Sequence, residues 1–298
     1  MKDFAQAPSA LVFSEHVRVY FACRPAADRN GQFVSYMAYV DFKRDNLLER
    51  VNVSKELILP LGGCGTFDEF GTNPASVIRN GRDVWMYYAG WTRCETVPFN
   101  AAIGLAISRD DGATFARIGN GPVLSYSVDE PFVIGSPRIR KFNDTLYLWY
   151  VAGKKWLSGK DRPEPVYKIR MATSTDGIRW KKHGADLIES ILDEDECQAS
   201  PDVFFADGRY HMFFSYRPTL GFKEVGRGYQ IGYAFSTDLR TWTRDDASAG
   251  ISVSSNGWDS ETISYPNVFD LDGNTYMYYQ GNQVGKYGFG LAQLEDMS

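Results

Sequence analysis

The chain has 298 residues, 44% hydrophobic, 15% aromatic and 23% charged, with a formal net charge of −5. That is enough apolar material for a full core, and the acidic balance without basic, aromatic-interleaved runs argues against a nucleic-acid surface. No apolar stretch nears the roughly 20 residues of a membrane-spanning helix, and the start MKDFAQAPSA has no apolar signal core, so a cytoplasmic protein without membrane contacts is expected.

In chain order the elements repeat. A first copy, APSALVFSEHVRVYFACRP, begins at Ala7, and related stretches begin at Asn73, Ser136, Ser200 and Tyr265. Each pairs an apolar run with an aromatic run across a short polar turn, which is a β-hairpin signal. Their shared prolines are Pro8, Pro74, Pro137, Pro201 and Pro266, spaced by 66, 63, 64 and 65 residues. A second hairpin follows in each copy. It is loose from Ser35, regular at Ile103 to Phe115, Ile169 to Trp180 and Ile231 to Trp242, and cut short at Gly288 to Glu295. The regular ones carry a Ser-x-Asp turn, and no helical period runs through ten or more residues.

Five such units predict an all-β chain, a five-bladed β-propeller of four-stranded antiparallel blades forming one domain over residues 1–298. Leu47 to Val53 is expected as the fourth strand of blade one. Blade five lacks a fourth, and Lys2 to Gln6 is expected to close the ring by pairing with Phe289 to Leu294. The turns at Asn80-Gly81, Asn143-Asp144, Asp207-Gly208 and Asp272-Gly273 mark one face. The segments before each proline and after each aromatic run belong to the opposite face, where binding loops sit on a rigid scaffold.

Those segments hold the chemistry-bearing residues. Before the prolines stand Asp68 and Glu69, Asp129 and Glu130, Glu196, and Asp259 and Glu261; Glu69, Glu196 and Glu261 each lie five residues ahead of their proline. After the aromatic runs stand Arg24, Trp91 and Arg93, then Lys154, Lys155 and Trp156, then Tyr216 and Arg217, then Gln280 and Asn282. Asn73 and Trp258 join them. Acids, cations, indoles and amides converging on one funnel suit a carbohydrate ligand, since carboxylates grip or protonate hydroxyls and aromatic faces stack on sugar rings. The competing reading is structural: an acid before a strand also caps backbone donors.

On the stretches ECQASPDVFFADGRYHMFFSYR, from Glu196, and WDSETISYPNVFDLDGNTYMYYQGN, from Trp258, the chain resembles the five-bladed propeller glycoside hydrolases. These include invertases, levansucrases, arabinanases and β-xylosidases, and the pattern also looks like a bacterial branch accompanying polysaccharide genes. The resemblance implies acids from different blades serving as base or nucleophile, transition-state stabiliser and general acid. The family's aspartate directly before the blade proline is replaced here by Ala7, Asn73, Ser136, Ser200 and Tyr265. Glu196-Cys197 is similar to the invertase Glu-Cys-Pro motif, with Pro201 displaced.

The expected function is therefore a glycosidase or transglycosidase with catalytic carboxyls among Asp68, Glu69, Asp129, Glu130, Glu196 and Glu261. Glu196 is the expected acid because the crowded run Asp193 to Glu196 raises one pKa by like-charge repulsion, and Glu69 or Glu261 would be its partner. The substrate-binding set is Arg24, Asn73, Trp91, Arg93, Lys155, Trp156, Tyr216, Arg217, Trp258, Asp259 and Asn282. Two alternatives stay open: a non-catalytic glycan-binding propeller, and an enzyme for an anionic sugar in glycan assembly, which the Arg and Lys residues suit. His16, His183 and His211 lack a second ligand at metal spacing, so no metal or cofactor is expected, with a central ion in the channel left open. Cys23, Cys64, Cys94 and Cys197 have no Cys-x-x-Cys spacing and read as reduced thiols.

Overall fold

The computed structural model describes residues 4–29 and 31–295, with only the backbone for Pro74 and Ala75. Five antiparallel sheets follow one another along the chain. Blade one is β1 (Gln6–Val12), β2 (His16–Cys23), β3 (Tyr36–Lys43) and β4 (Arg50–Val53). Blade two is β5 (Thr72–Asn80), β6 (Asp83–Thr92), β7 (Asn100–Ser108) and β8 (Ala116–Arg117). Blade three is β9 (Phe132–Phe142), β10 (Thr145–Leu157), β11 (Glu164–Ser174) and β12 (Lys181–Lys182). Blade four is β13 (Cys197–Ala206), β14 (Arg209–Arg217), β15 (Gln230–Ser236) and β16 (Thr243–Arg244). Blade five is β17 (Ser264–Leu271), β18 (Asn274–Gln280) and β19 (Phe289–Gln293). Each β1-type strand packs beside the next around a closed ring, so the molecule is the five-bladed propeller that the repeat predicts.

The repeated motifs have local reasons. In the Ser-x-Asp turns the Ser hydroxyl accepts from a backbone N–H, Gly112 N at 2.8 Å from Ser108, Gly177 N at 2.8 Å from Ser174 and Leu239 N at 2.9 Å from Ser236. The Asp then caps the following amides, as Asp176 does for Ile178 and Arg179. This side-chain capping fixes a turn that backbone pairing alone leaves loose. Apolar positions facing out of each blade meet those of the next, giving a buried cluster at each of the five blade interfaces.

Every first strand is interrupted at its proline by a register shift. The residue before it is left-handed in four blades: Ala7 (φ 52°), Ser136 (46°), Ser200 (48°) and Tyr265 (56°). Proline removes a ladder donor, so the extra residue is accommodated as a bulge that re-aims its neighbour.

Closure differs from expectation. Lys2 and Asp3 lie outside the described residues, Ala5 N donates to Gly285 O at 3.0 Å, and Gln6 already belongs to β1, paired with Ala22. Blade five therefore keeps three strands among the described residues. Side chains of β17 and β18 join blade five to blade one instead: Ala10 N donates to Asn267 Oδ1 at 2.7 Å and Ala7 N to Gln280 Oε1 at 3.0 Å. No helix is long and apolar enough to cross a membrane.

Candidate functional site

The propeller axis opens on one face into a cavity of about 320 Å³. Arg24 enters it from just beyond β2, Trp91 and Arg93 from the end of β6, and Phe99 from the next loop. Arg162, Glu164 and Tyr167 enter from the start of β11, Arg217 and Phe222 from the end of β14 and its loop, and Tyr265 from β17. Beneath it a second space of about 40 Å³ is lined by Ala7, Asn73, Ser136, Ser200 and Tyr265. These are the five residues directly before the blade prolines, so the bulges turn them toward the axis. Arg138 forms the floor, wholly buried, with Nη2 donating to the carbonyls of Pro8 (3.1 Å) and Pro266 (3.3 Å). Burial lowers its pKa to about 10, which leaves it charged at neutral pH.

A polar network fixes one wall. Arg217, 4% exposed, donates Nη1 to Pro218 O (2.8 Å) and Thr219 O (3.1 Å), and Nη2 to the Tyr167 hydroxyl (3.2 Å). The Tyr167 and Tyr229 hydroxyls bond each other, and Tyr229 meets Tyr265 edge-on. Burial raises the pKa of both Tyr167 and Tyr265, so these phenols stay protonated and can donate. The guanidinium of Arg217 lies 3.7 Å from the Phe222 ring centre. On the opposite wall Trp91 packs edge-to-face on Phe99 at 4.9 Å, and Phe99 on Trp156 at 5.7 Å.

Of the expected binding residues, Arg24, Trp91, Arg93 and Arg217 meet in this cavity, with Asn73 below. The rest lie elsewhere. Lys155 pairs with Asp195 at 2.6 Å, and Trp156 supports Phe99 from behind. Tyr216 lies under Arg244. Trp258 stacks on Tyr279 and occupies the space a side chain at Gly281 would need. Asn282 meets Glu261 as the hairpin requires, but its Oδ1 accepts from the Glu261 and Thr262 amides at 2.8 and 3.0 Å.

The expected carboxylates do not line the cavity. Asp68 is fully buried against the Tyr88 hydroxyl (2.9 Å) and Arg117 (Nε 2.7 Å) of its own blade. Glu130 does the same with Tyr150 (2.8 Å), Arg170 (3.1 Å) and Lys182. Glu196 accepts from Arg244 (2.7 Å) and Gln198 (2.9 Å), and Asp259 from Tyr279 (2.9 Å). Each clasps the segment before a blade's first strand to that blade's later strands. Glu69 accepts from Gly65 N at 2.8 Å, while Asp129 and Glu261 are exposed outside the cavity.

Glu164, Arg162, Tyr167 and Phe222 were not singled out by the sequence, and Tyr265 only as a departure from the family pattern. Glu164, 7% exposed, is the one carboxyl among the described residues lining the cavity, and its Oε1 accepts from Arg162 Nε at 3.0 Å. The dipeptide Glu164-Pro165 opens β11 in an extension of the strand, paired with Leu157 and Trp156, and that extension is the signal that marks it. No His, Cys, Asp and Glu grouping among the described residues could hold a metal ion.

No family model matches the chain. It is 33% identical over 301 residues to "Uncharacterized protein Rv1502" of Mycobacterium tuberculosis (strain ATCC 25618 / H37Rv), covering 99% of this chain and 95% of that protein. The chain belongs to that family. The 1,2-beta-oligomannan phosphorylase of Thermoanaerobacter sp. (strain X514) is 29% identical over 201 residues, 66% of this chain and 59% of its own. Among solved structures, a glycoside hydrolase superposes with a TM-score of 0.77 at 17% identity, over 100% of this chain and 89% of that one. The fold is thus that of the five-bladed propeller glycoside hydrolases.

Proposed function

We propose that this chain is a carbohydrate-active enzyme that breaks or exchanges a glycosidic bond in the axial cavity, with Glu164 as the general acid. The observation that carries the reading is the convergence, on one cavity, of a buried carboxyl, an aromatic wall and several guanidinium groups. The Trp91 and Phe99 wall suits the apolar face of a sugar ring. As the carboxyl of this cavity, Glu164 is assigned the protonation of the leaving oxygen, the role that glycosidic cleavage canonically gives to one carboxyl, and its protonated form would exchange the ion pair with Arg162 for a bond to that oxygen. The likeness to named mannoside phosphorylases supports carbohydrate as the substrate class.

Hydrolysis with either stereochemical course calls on a second carboxyl, about 5–5.5 Å away for retention or about 6.5–9.5 Å for inversion. Glu164 stands alone among the described lining residues, and that favours a second reading, phosphorolysis, in which the acceptor is itself the nucleophile. The test is turnover of an oligosaccharide panel, including β-1,2-mannosides, with and without inorganic phosphate. Free sugar identifies hydrolysis and sugar 1-phosphate identifies phosphorolysis. Glu164→Gln should cut turnover about a hundredfold or more, the scale of general acid catalysis. Undiminished turnover in that variant removes Glu164 from the mechanism.

A further inference from the structure

The cavity carries more positive charge than a neutral sugar calls for. Four guanidinium groups, Arg24, Arg93, Arg162 and Arg217, face one carboxyl. Two of them are already matched: Arg93 Nη2 lies 2.7 Å from Asp28, and Arg162 Nε 3.0 Å from Glu164. Among the described residues neither Arg24 nor Arg217 has an acidic partner. Arg24 is half-buried on the cavity wall with no hydrogen bond or ion pair there. Arg217 bonds only carbonyls and a phenol, stacks on Phe222, and its Nε has no acceptor.

A buried cation without a counter-charge is costly to the fold, and two on one cavity describe a site completed by its ligand. Burial lowers the Arg24 pKa, and the neighbouring Arg162 adds to the effect, so an anion there would relieve both desolvation and repulsion. Tyr265, between these groups on the axis, remains a protonated donor.

We propose that the ligand is a saccharide that itself bears an oxyanion, a carboxylate or a phosphate ester, held by Arg24 and Arg217 while the ring lies on Trp91 and Phe99. The inference rests on the carbohydrate reading above and narrows it to acidic sugars. A free oxyanion would use the cations but leave the aromatic wall and most of the cavity of about 320 Å³ unfilled.

Calorimetric titration tests it, with glucuronate, galacturonate, mannuronate and glucose 6-phosphate set against glucose, galactose, mannose and inorganic phosphate. At least one acidic sugar should bind about ten- to a hundredfold more tightly than its neutral counterpart, the worth of hydrogen bonds to a charged group, and the gap should shrink with salt. Arg24→Gln should bring that acidic sugar down to the neutral level. Equal affinity for the members of every pair, no binding by any acidic sugar, or inorganic phosphate binding as tightly as the acidic sugars would overturn the proposal. Glu164→Gln separates the two readings. Acidic preference kept by a variant whose turnover is undiminished sinks only the catalytic assignment, and lost turnover without any acidic preference sinks only this one.

Discussion

Glu196 offers a sharp division between a catalytic and a structural role. It is fully buried, and its two oxygens accept four hydrogen bonds: Arg244 Nη1 (2.7 Å) and Gln198 Nε2 (2.9 Å) on one, Ile191 N (3.1 Å) and Leu192 N (3.2 Å) on the other. Removing one partner of a buried ion pair costs about 3–5 kcal/mol, because the other charge stays buried. Here Arg244 retains Asp246, with Nη2 to Oδ2 at 2.9 Å, so Glu196→Ala should fall near the lower end, about 3 kcal/mol. At about 2 °C per kcal/mol for a domain of this size, the midpoint should drop by roughly 6 °C. Urea unfolding at 25 °C and a melting scan read the two quantities, and turnover is then measured well below the transition. The structural reading requires activity retained in the folded variant. A stability loss under about 1 kcal/mol together with abolished turnover would refute it and return Glu196 to the reaction.

Two further outcomes follow from particular residues. Trp91→Ala removes the indole that faces the cavity against Phe99. Saccharide affinity should fall about three- to tenfold, as loss of an aromatic contact worth about 0.5–1.5 kcal/mol implies, and unchanged affinity in titration would move the sugar off this wall. His211 is 1% exposed, with Nδ1 accepting from Tyr233 and Nε2 donating to Ala206 O, and burial lowers its pKa below 6.5. The unfolded chain therefore binds a proton that the folded state resists. The stabilisation is complete above about pH 6.5 and fades as pH falls through the folded value. His211→Gln should flatten the loss of urea stability between pH 6.5 and 5, and an unchanged slope would assign it to His16 or His183, whose pKa values burial also lowers.

The fold was legible because its information is periodic. Prolines 63 to 66 residues apart, Ser-x-Asp turns and polar hairpin turns each encode a local geometry, and five repetitions of a local geometry have few ways to close. Ring closure was not, since it depends on unrepeated contacts. Asn267 and Gln280 reach from blade five to the backbone of blade one, and nothing in their local sequence distinguishes a side chain that bonds its own strand from one that crosses to the next.

The candidate site shows the reverse side of the same fact. Asp68, Glu130, Glu196 and Asp259 drew attention because acids recur before the blade prolines, yet that recurrence, five to seven residues ahead of the proline in four of the five copies, marks a need of the scaffold. A short outer strand such as Ala116–Arg117 or Thr243–Arg244 makes few backbone bonds, and an acid clasping its arginine to the loop before the first strand holds it in place. Blades two to four share that requirement, with Lys182 in the arginine's place in blade three, so the acids repeat there. A ligand at the axis imposes no such identity, because it meets the five blades from five directions. The residues that face it are accordingly unequal: the position before the proline is Ala7, Asn73, Ser136, Ser200 or Tyr265, and Glu164 has no counterpart on the cavity, although Arg24 and Arg217 hold one place in their copies, sixteen residues after the proline. In this propeller the repeated acids belong to the scaffold, and the site is read from what differs between blades at the positions facing the axis. On that criterion Tyr265 carries more information as a bulky, left-handed residue at the axis than as a place where an aspartate is missing.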